Sequence, residues 1–386
     1  MLNTRSVLEP EHEDFRRAVA AFMEREVVPN YPEWEKNGVV DRSVWSKAGE
    51  EGLLLMTAAE EYGGAGVDFR YAAVLNEEMS KRGISGPGFG LHSDIVAPYF
   101  THYGTEEQKQ RFLPRMAKGE IIGSIAMTEP GAGSDVQNIR TTALKDGNEY
   151  VVSGAKTFIT NGELADFVLV AAKTDPSLGA KGISLIVVET NREGFSRGKK
   201  LDKMGEKAQD IAELHFDNIR VPPENLIGEE GKGFKIILGG LNAERTLIAA
   251  ECIGDARWFI DKVSAYVKER IVFDRPIGMN QGVQFPIARA HVNTEAADLM
   301  RFEACRMFDA GVNPGAQANM AKMLAADASW EAANACIQFH GGFGFAAEYD
   351  VERKFRETRL YQVAPISTNL ILSYVAEHVL GLPRSF

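Results

Sequence analysis

Apolar residues recur three and four positions apart from Glu9 to about Gly119, as in Phe15, Val19, Phe22 and Met23, and this spacing predicts amphipathic helices. Turns or loops are expected where the pattern breaks, at Pro29, Pro32, Gly63-Gly64-Ala65-Gly66 and Gly86-Pro87-Gly88. From about Ile121 to Ile227 the period changes. Short runs rich in Val, Ile, Phe and Thr (Tyr150–Ser153, Phe167–Ala172, Ile183–Val188 and Glu213–Phe216) are bounded by turn residues such as Asp146-Gly147-Asn148 and Asp217-Asn218, and they read as strands. No helical stretch separates them, so a barrel or sandwich is expected over a sheet of βαβ units. Helical spacing returns from Gly231, over Phe234–Lys268, Gln284–Gly311 and Gln317–Gln338, with breaks at Arg275-Pro276, Asn313-Pro314 and His340–Gly344. The expected class is therefore α+β: a helical domain over 1–120, a β domain over 121–230 and a helical domain over 231–386. No repeat or low-complexity linker divides the three, which are expected to pack as one body.

Composition narrows the function classes. Hydrophobic residues at 45% and charged residues at 25% suit a chain that folds in water, and 386 residues exceed what one core usually holds. A net charge of −11 argues against a mainly electrostatic grip on nucleic acid or an anionic membrane, so an anionic ligand must be held locally. Cys252, Cys305 and Cys336 are odd in number and in no CxxC pattern, which favours free thiols in a reducing compartment. The stretch MLNTRSVLEPEHEDF lacks the features of a signal or transit peptide, and no apolar run is long enough to span a bilayer; a cytoplasmic location without membrane insertion is expected. None of the seven histidines is spaced as a metal ligand.

Several motifs can be weighed against plain alternatives. Gly342-Phe343-Gly344-Phe345-Ala346-Ala347 has the form of a dinucleotide fingerprint but follows a helix, so it reads as a helix-breaking loop. Phosphoryl transfer and serine hydrolysis have no motif. The segment Met127-Thr128-Glu129-Pro130-Gly131-Ala132-Gly133-Ser134-Asp135 offers hydroxyls and small residues that let a polar ligand approach the main chain, though a surface turn would look similar. A second loop, Phe158-Ile159-Thr160-Asn161-Gly162, again pairs an aromatic with a hydroxyl, as a flat heteroaromatic cofactor requires.

With these residues in view the chain resembles the acyl-CoA dehydrogenase family over nearly its whole length. The resemblance rests on Glu61–Gly66 (EYGGAG), Tyr103–Pro114 (YGTEEQKQRFLP), Met127–Asp135 (MTEPGAGSD), Phe158–Gly162 (FITNG), Glu269–Gln281 (ERIVFDRPIGMNQ) and Gln338–Phe345 (QFHGGFGF), in that order. It implies a helical domain, a β-barrel domain and a C-terminal four-helix bundle, bound FAD, a homotetramer, a role in fatty acid β-oxidation and an electron-transferring flavoprotein as acceptor. By the same resemblance Met127, Thr128 and Ser134 line the flavin and its ribityl side, Phe158 stands over the ring, and the Thr160 hydroxyl reaches the N5 edge. Arg270 and Gln281 match positions that hold the adenine dinucleotide part of a neighbouring subunit's FAD, with Gln338 and Gly342 completing that shell; Phe273, Ser367 and Asn369 also fall at cofactor positions. A guanidinium suits a pyrophosphate because its fork binds oxygen pairs and stays charged.

The catalytic base is where the chain departs from the family. Most members place a glutamate in a Tyr-Glu-Gly-Thr string near the C-terminus, and here Pro365 occupies that position, in Val363-Ala364-Pro365-Ile366-Ser367-Thr368. Proline neither accepts the α-proton nor offers an N–H to the thioester oxygen, so the carbonyl site must be rebuilt from a neighbour such as Ile366 or be weaker. Glu244 is the candidate base. Ile237, Leu241, Glu244 and Ile248 share one helical face, so the carboxylate is expected to be poorly solvated with a raised pKa. A structural pairing with an arginine is the alternative. The family favours the base, because isovaleryl-CoA and long-chain acyl-CoA dehydrogenases supply theirs from this helix position. Asn242 and Arg245 match positions near the CoA moiety, as does Ser134, although an acid is frequent where Asn242 stands.

The implied reaction is α,β-desaturation of an acyl-CoA to the trans-2-enoyl-CoA, with the β-hydride passing to flavin N5. Gly239, Gly240 and Ala364, small where bulk is frequent, suggest room for a branched or medium-to-long chain. Two other functions stay open: different chemistry on the same fold, such as a CoA-thioester desulfinase or an oxidase, and a non-catalytic acyl-CoA-binding subunit.

Overall fold

The computed structural model describes residues 7–385; the first six residues of the stretch read as free of a targeting signal lie outside the described residues. Helices α1 (Pro10–Phe22), α2 (Tyr31–Asn37), α3 (Ser43–Glu50), α4 (Phe69–Ser80), α5 (Ala97–Tyr103) and α6 (Glu106–Ala117) come first. Strands β1 (Gly123–Ala126), β2 (Thr142–Asp146), β3 (Glu149–Thr160), β4 (Phe167–Lys173), β5 (Ile183–Glu189), β6 (Phe195–Lys200), β7 (Ile211–Val221) and β8 (Leu226–Ile227) follow. The long helix α7 (Gly233–Glu269) leads through a small hairpin of β9 (Ile271–Val272) and β10 (Arg275–Pro276) to α8 (Gln281–Asp309), α9 (Gly315–His340), α10 (Val351–Thr358) and α11 (Thr368–Tyr374). The fold is thus α+β, with helical, β and helical domains in that order.

Local chemistry explains several boundaries. Pro10 opens α1 at a position where the missing N–H costs nothing, and Pro32, expected as an interruption, sits harmlessly in the first turn of α2. Thr105 caps α6 by accepting the Gln108 N–H at 3.3 Å while the Gln108 side chain accepts the Thr105 N–H at 2.9 Å. His340–Gly344 ends α9 as expected, and the glycine-rich string continues as a 3-10 turn over Gly341–Phe345.

By packing, the chain divides into two compact units. One holds Asn30–Val67 and Gly86–Leu241; the other holds residues up to Pro29, Asp68–Ser85 and everything from Asn242. The first contains a sheet in the order β6-β7-β3-β2-β4-β5-β8, with β1 parallel to β4. Its hydrogen-bonded path runs open from β6 to β8. Strands β4 and β5 are buried on both faces and read as unbroken apolar runs, whereas β7 alternates buried and exposed residues. The core gathers Val168, Val170, Ile186, Val188, Leu214 and Phe216. Strand β6, Phe-Ser-Arg-Gly-Lys-Lys, is the edge, and its cations keep it from pairing with another chain. His92 also belongs here: its ring is within 3.1 Å of Met116 O and accepts the Gly123 N–H at 3.0 Å, joining the end of α6 to the start of β1. Burial holds this imidazole down at about 4, so it is neutral.

The second unit is helical. Alanines 318, 321, 325, 328, 332 and 335 give α9 a small-residue face that is buried. Helix α7 also comes close to α4, since a Cβ at Gly254 would stand 2.4 Å from Glu77 O. An ion network spans the helices: buried Glu77 of α4 meets Arg16 of α1 at 3.3 Å, Arg301 of α8 at 2.9 Å, and Arg257 of α7. Asp298 shares Arg257 at 2.6 Å and also pairs with Arg301.

Candidate active site

The two loops singled out in the β unit lie side by side. The Thr157 N–H donates to Thr128 O at 3.0 Å, tying the end of β3 to the loop that follows β1. Beneath them Lys156, fully buried, donates to Met127 O at 3.0 Å and to Glu129 Oε1 at 2.9 Å. Glu129 also accepts the N–H groups of Arg140 at 2.6 Å and Thr141 at 2.9 Å. Burial pulls the Lys156 ammonium down to about 8 against the attraction of Glu129. On Glu129 burial pushes the other way, but Lys156 and the N–H donors win and hold the carboxylate below its usual value. The loop is therefore fixed from below by four hydrogen bonds, one of which is also an ion pair.

Its outer side is free. A Cβ at Gly131 or Gly133 would meet nothing within 4 Å, and the side-chain hydroxyls of Thr128, Ser134 and Thr160 make no hydrogen bond among the described residues. Phe158, held at φ +58°, leaves its ring 64% exposed beside them. A free aromatic face next to unpartnered hydroxyls fits a flat heteroaromatic ring with a hydrogen-bonding edge, and the FAD expected from the resemblance meets that description. Replacing Lys156 with methionine leaves Glu129 buried and unpaired, at a cost of about 3–5 kcal/mol. Lys156→Met protein is expected to purify with most of its flavin absorbance lost, and Glu129→Gln added to it to recover part.

In the helical unit, Glu244 lies on α7 partly exposed and makes no hydrogen bond or ion pair among the described residues. Among the described residues no arginine forms an ion pair with it, and the guanidinium that acts on its charge is the adjacent Arg245. Burial of the carboxyl pushes it up to about 7, opposed by the adjacent Arg245 guanidinium. Arg245 donates to Asn242 Oδ1 at 3.2 Å while its Nε is buried without a partner, and Asn242 in turn donates to Asn313 Oδ1 at 3.2 Å. Tyr374 of α11 is close enough to act on the charge of Arg245, and its hydroxyl would lie 2.8 Å from a Cβ at Gly315. Asn242, Glu244 and Arg245 are thus brought together with Asn313 and Tyr374.

The segment containing Pro365 belongs to the same neighbourhood. Lys322 of α9, completely buried, donates to Tyr361 O and to Ile366 O, the latter at 2.9 Å, and Arg245 lies near enough to lower the pKa of this lysine in addition to the larger effect of burial. The N–H groups of Ile366 and Ser367 make no hydrogen bond among the described residues, and the Ser367 hydroxyl caps α11 by accepting the Leu370 N–H at 3.4 Å. Sequence reasoning missed Lys322, although a lysine on the alanine stripe of Ala318 and Ala325 was a visible signal. It also missed Lys156, which lies in a strand that alternates less regularly.

The residues expected around the dinucleotide are exposed. Phe273 stands at the tip of the β9–β10 hairpin, φ +51° and 94% exposed, and Arg270 places its guanidinium 5.7 Å from the Phe343 ring without an ion pair among the described residues. The hairpin thus sits with the turn after α9 that carries Gly342. Gln281, Gln338 and Asn369 are exposed too, but no hydrogen bond joins Ser367 or Asn369 to Arg270 or Gln281 among the described residues.

Gly239 and Gly240 of α7 lie near tyrosines of α5. A Cβ at Gly240 would stand 2.6 Å from the Tyr99 hydroxyl, and one at Gly239 3.3 Å from the Tyr103 hydroxyl. Gly240 therefore packs closely against Tyr99 of α5, while Gly239 is exposed and meets only the one hydroxyl, so the room expected beside this helix is narrowed at Gly240.

Comparison with known proteins adds the following. Profiles of the acyl-CoA dehydrogenase N-terminal, middle and C-terminal domains match residues 9–120, 124–219 and 231–380. The long-chain specific acyl-CoA dehydrogenase of Sus scrofa mitochondria is 40% identical over 380 residues, covering 98% of this chain and 88% of its own. The crystal structure of an acyl-CoA dehydrogenase from Geobacillus kaustophilus superposes with a TM-score of 0.94 at 43% identity, covering 96% of this chain and 98% of that one. A glutaryl-CoA dehydrogenase from Mycobacterium smegmatis, solved in complex with FADH2, has a TM-score of 0.91 at 27% identity over 100% of this chain and 98% of its own.

Proposed function

Because the chain belongs to the acyl-CoA dehydrogenase family of flavin-dependent CH–CH oxidoreductases, we propose that it converts an acyl-CoA thioester to the trans-2-enoyl-CoA with Glu244 as its base. The observation that carries this reading is the Glu244 carboxyl, unpaired and raised by burial to about 7, on the helix that also bears Asn242 and Arg245. A base with a midpoint near the working pH is substantially ionised, at about half, yet still basic enough to take a weakly acidic α-proton.

The parts divide as follows. Thr128, Ser134 and Thr160, whose hydroxyls are free among the described residues, would hold FAD together with Met127 and Phe158. Arg270, Phe273, Gln281, Gln338 and Gly342, with Ser367 and Asn369, are available to the adenine dinucleotide part in a second copy of the chain, and their exposure supports a homotetramer that shares its cofactors. Bound FAD supplies a two-electron acceptor for the hydride. Glu244 takes the α-proton, and the free Ile366 and Ser367 N–H groups stand in for the N–H that Pro365 lacks, stabilising negative charge on the thioester oxygen. Arg245 and Asn242 orient the CoA moiety with Ser134. An electron-transferring flavoprotein is the proposed acceptor. A cytoplasmic setting is part of the proposal, supported by three thiols that remain free.

For the acyl group, Gly240 lends no room because Tyr99 lies against it, whereas Gly239 stays open. Ala364 and the likeness to a long-chain specific relative favour a medium-to-long chain, with branching next to the thioester tolerated. The test is an anaerobic titration of the purified flavoprotein with straight and branched acyl-CoAs. Bleaching of the visible flavin band by medium-to-long thioesters is expected. A band that shifts on binding every thioester but never bleaches would overturn the reaction, and bleaching confined to butyryl-CoA would overturn the chain length.

A further inference from the structure

Residues 361–367 carry a problem that helix packing alone does not solve. The segment leaves a 3-10 turn at Gln362, passes through Pro365 and re-enters helix at Thr368, so that most of its peptide groups belong to no ladder. Its N–H groups at Ile366 and Ser367 make no hydrogen bond among the described residues. Two of its carbonyls, at Tyr361 and Ile366, converge on a single point, and that point is the Lys322 ammonium. A lysine pays for burial only when its donors are satisfied, and Lys322 meets that condition almost entirely with main-chain oxygens of this segment.

The geometry points to Lys322 as a positioning residue for the oxyanion site: by holding Tyr361 O and Ile366 O from beneath, it fixes the direction of the neighbouring Ile366 and Ser367 N–H groups that receive the thioester oxygen. This deepens the function proposed above and rests on it. Two physical effects act together. The clamp removes the freedom of a segment that has no other main-chain support at Ile366, and donors that are already aimed cost nothing to reorganise as charge develops. In addition, the peptide group joining Ile366 to Ser367 has its oxygen on an ammonium, which polarises the Ser367 N–H at its other end and makes it a stronger donor. The Lys322 side chain touches no reacting atom in this scheme. Arg245 and Cys252 lie in its surroundings, with Asp327 on its own helix, and none of the three takes its place on the two carbonyls.

The test uses the flavoprotein with Lys322→Met, which matches the lysine in length and removes its donors, and reads enolisation separately from turnover. A β-ketoacyl-CoA, acetoacetyl-CoA, ionises at its C2 position when the thioester oxygen is stabilised, and the enolate is followed by its own ultraviolet band without any redox step. Wild type is expected to bind it as the enolate. In Lys322→Met the pH midpoint of that ionisation should rise by about one to two units, and kcat should fall by about ten- to a hundredfold, somewhat less than the loss of a donor itself. Affinity for a saturated acyl-CoA and flavin content should change less than about threefold, since neither calls on the oxyanion donors. Should Lys322→Met fail to fold, Lys322→Gln, which reaches one carbonyl only, carries the same measurements with an intermediate shift expected. An unchanged enolisation midpoint overturns the assignment, as does a loss of flavin, affinity and turnover in equal proportion, which would mark a merely structural lysine. If wild type itself enolises the ligand but bleaches with no acyl-CoA, the dehydrogenase reading fails while the role of Lys322 stands.

Discussion

Glu244→Gln is expected to keep its flavin and its affinity for acyl-CoA while turnover falls by about 10²–10⁴-fold. Glutamine preserves the shape of the side chain and fills the same place on α7, so what is lost is the ability to take a proton. Glu251, further along α7 and close enough for its charge to interact with that of Glu244, is raised by burial to about 8, and Glu251→Gln is the control that separates the two carboxyls. The pH dependence gives the same test in finer form. The carboxyl is active when ionised, and burial sets its midpoint at about 7. Below that midpoint kcat/KM should fall about tenfold per pH unit, and above it the profile should level off. A midpoint near the ordinary glutamate range would mean that substrate-free protein does not bury this group. Stopped-flow bleaching of the flavin with a good substrate, for wild type and variant, measures both effects on the chemical step alone.

Glu77→Gln is the largest stability change expected. One buried carboxylate, 1% exposed, meets guanidinium groups of Arg16, Arg257 and Arg301, which arrive from three other helices. An amide in its place leaves Arg301, which is fully buried, and Arg257 to share Asp298, so positive charge stays in the core without enough negative charge to balance it. Breaking such a buried arrangement from one side costs about 3–5 kcal/mol. Denaturant unfolding followed by circular dichroism should show the midpoint moved down accordingly, while Glu295→Gln, at the exposed rim of the same network, should move it little. A Glu77→Gln protein as stable as wild type would mean that the network is not strongly coupled.

The order of helical, β and helical domains was open to sequence reasoning because hydrophobic period is a local property. Helices α7, α8 and α9 fall within a few residues of where that period placed them. Strands β1, β2, β6 and β8 did not stand out. Strand β8 is two residues long, and β6 is polar because it lies at an edge, so neither has the apolar run that betrays a buried strand. The face of Glu244 could be read from spacing alone, and its lack of a partner could not, since pairing depends on which distant residues arrive beside it. The same holds for Glu77 and its three arginines, of which Arg301 lies more than two hundred residues away along the chain, and for Lys322 with the carbonyls of Tyr361 and Ile366. Gly240 shows the opposite failure: a small residue in a sequence leaves open whether the space belongs to a ligand or to a neighbour, and here Tyr99 fills it.

The three cysteines are buried and unpaired, and each lies in a different packed cluster: Cys252 with Ile253 and Ala325, Cys305 with Ala73 and Ala250, Cys336 with Phe259 and Val263. Burial pushes the thiols of Cys305 and Cys336 up to about 12 and that of Cys252 well above its ordinary value. A thiolate is the reactive form, so alkylating reagents have almost nothing to attack while the helices stay together. Labelling kinetics therefore become a clock for opening motions, with three built-in reporters whose separate rates tell whether the helical unit breathes as a whole or one cluster at a time.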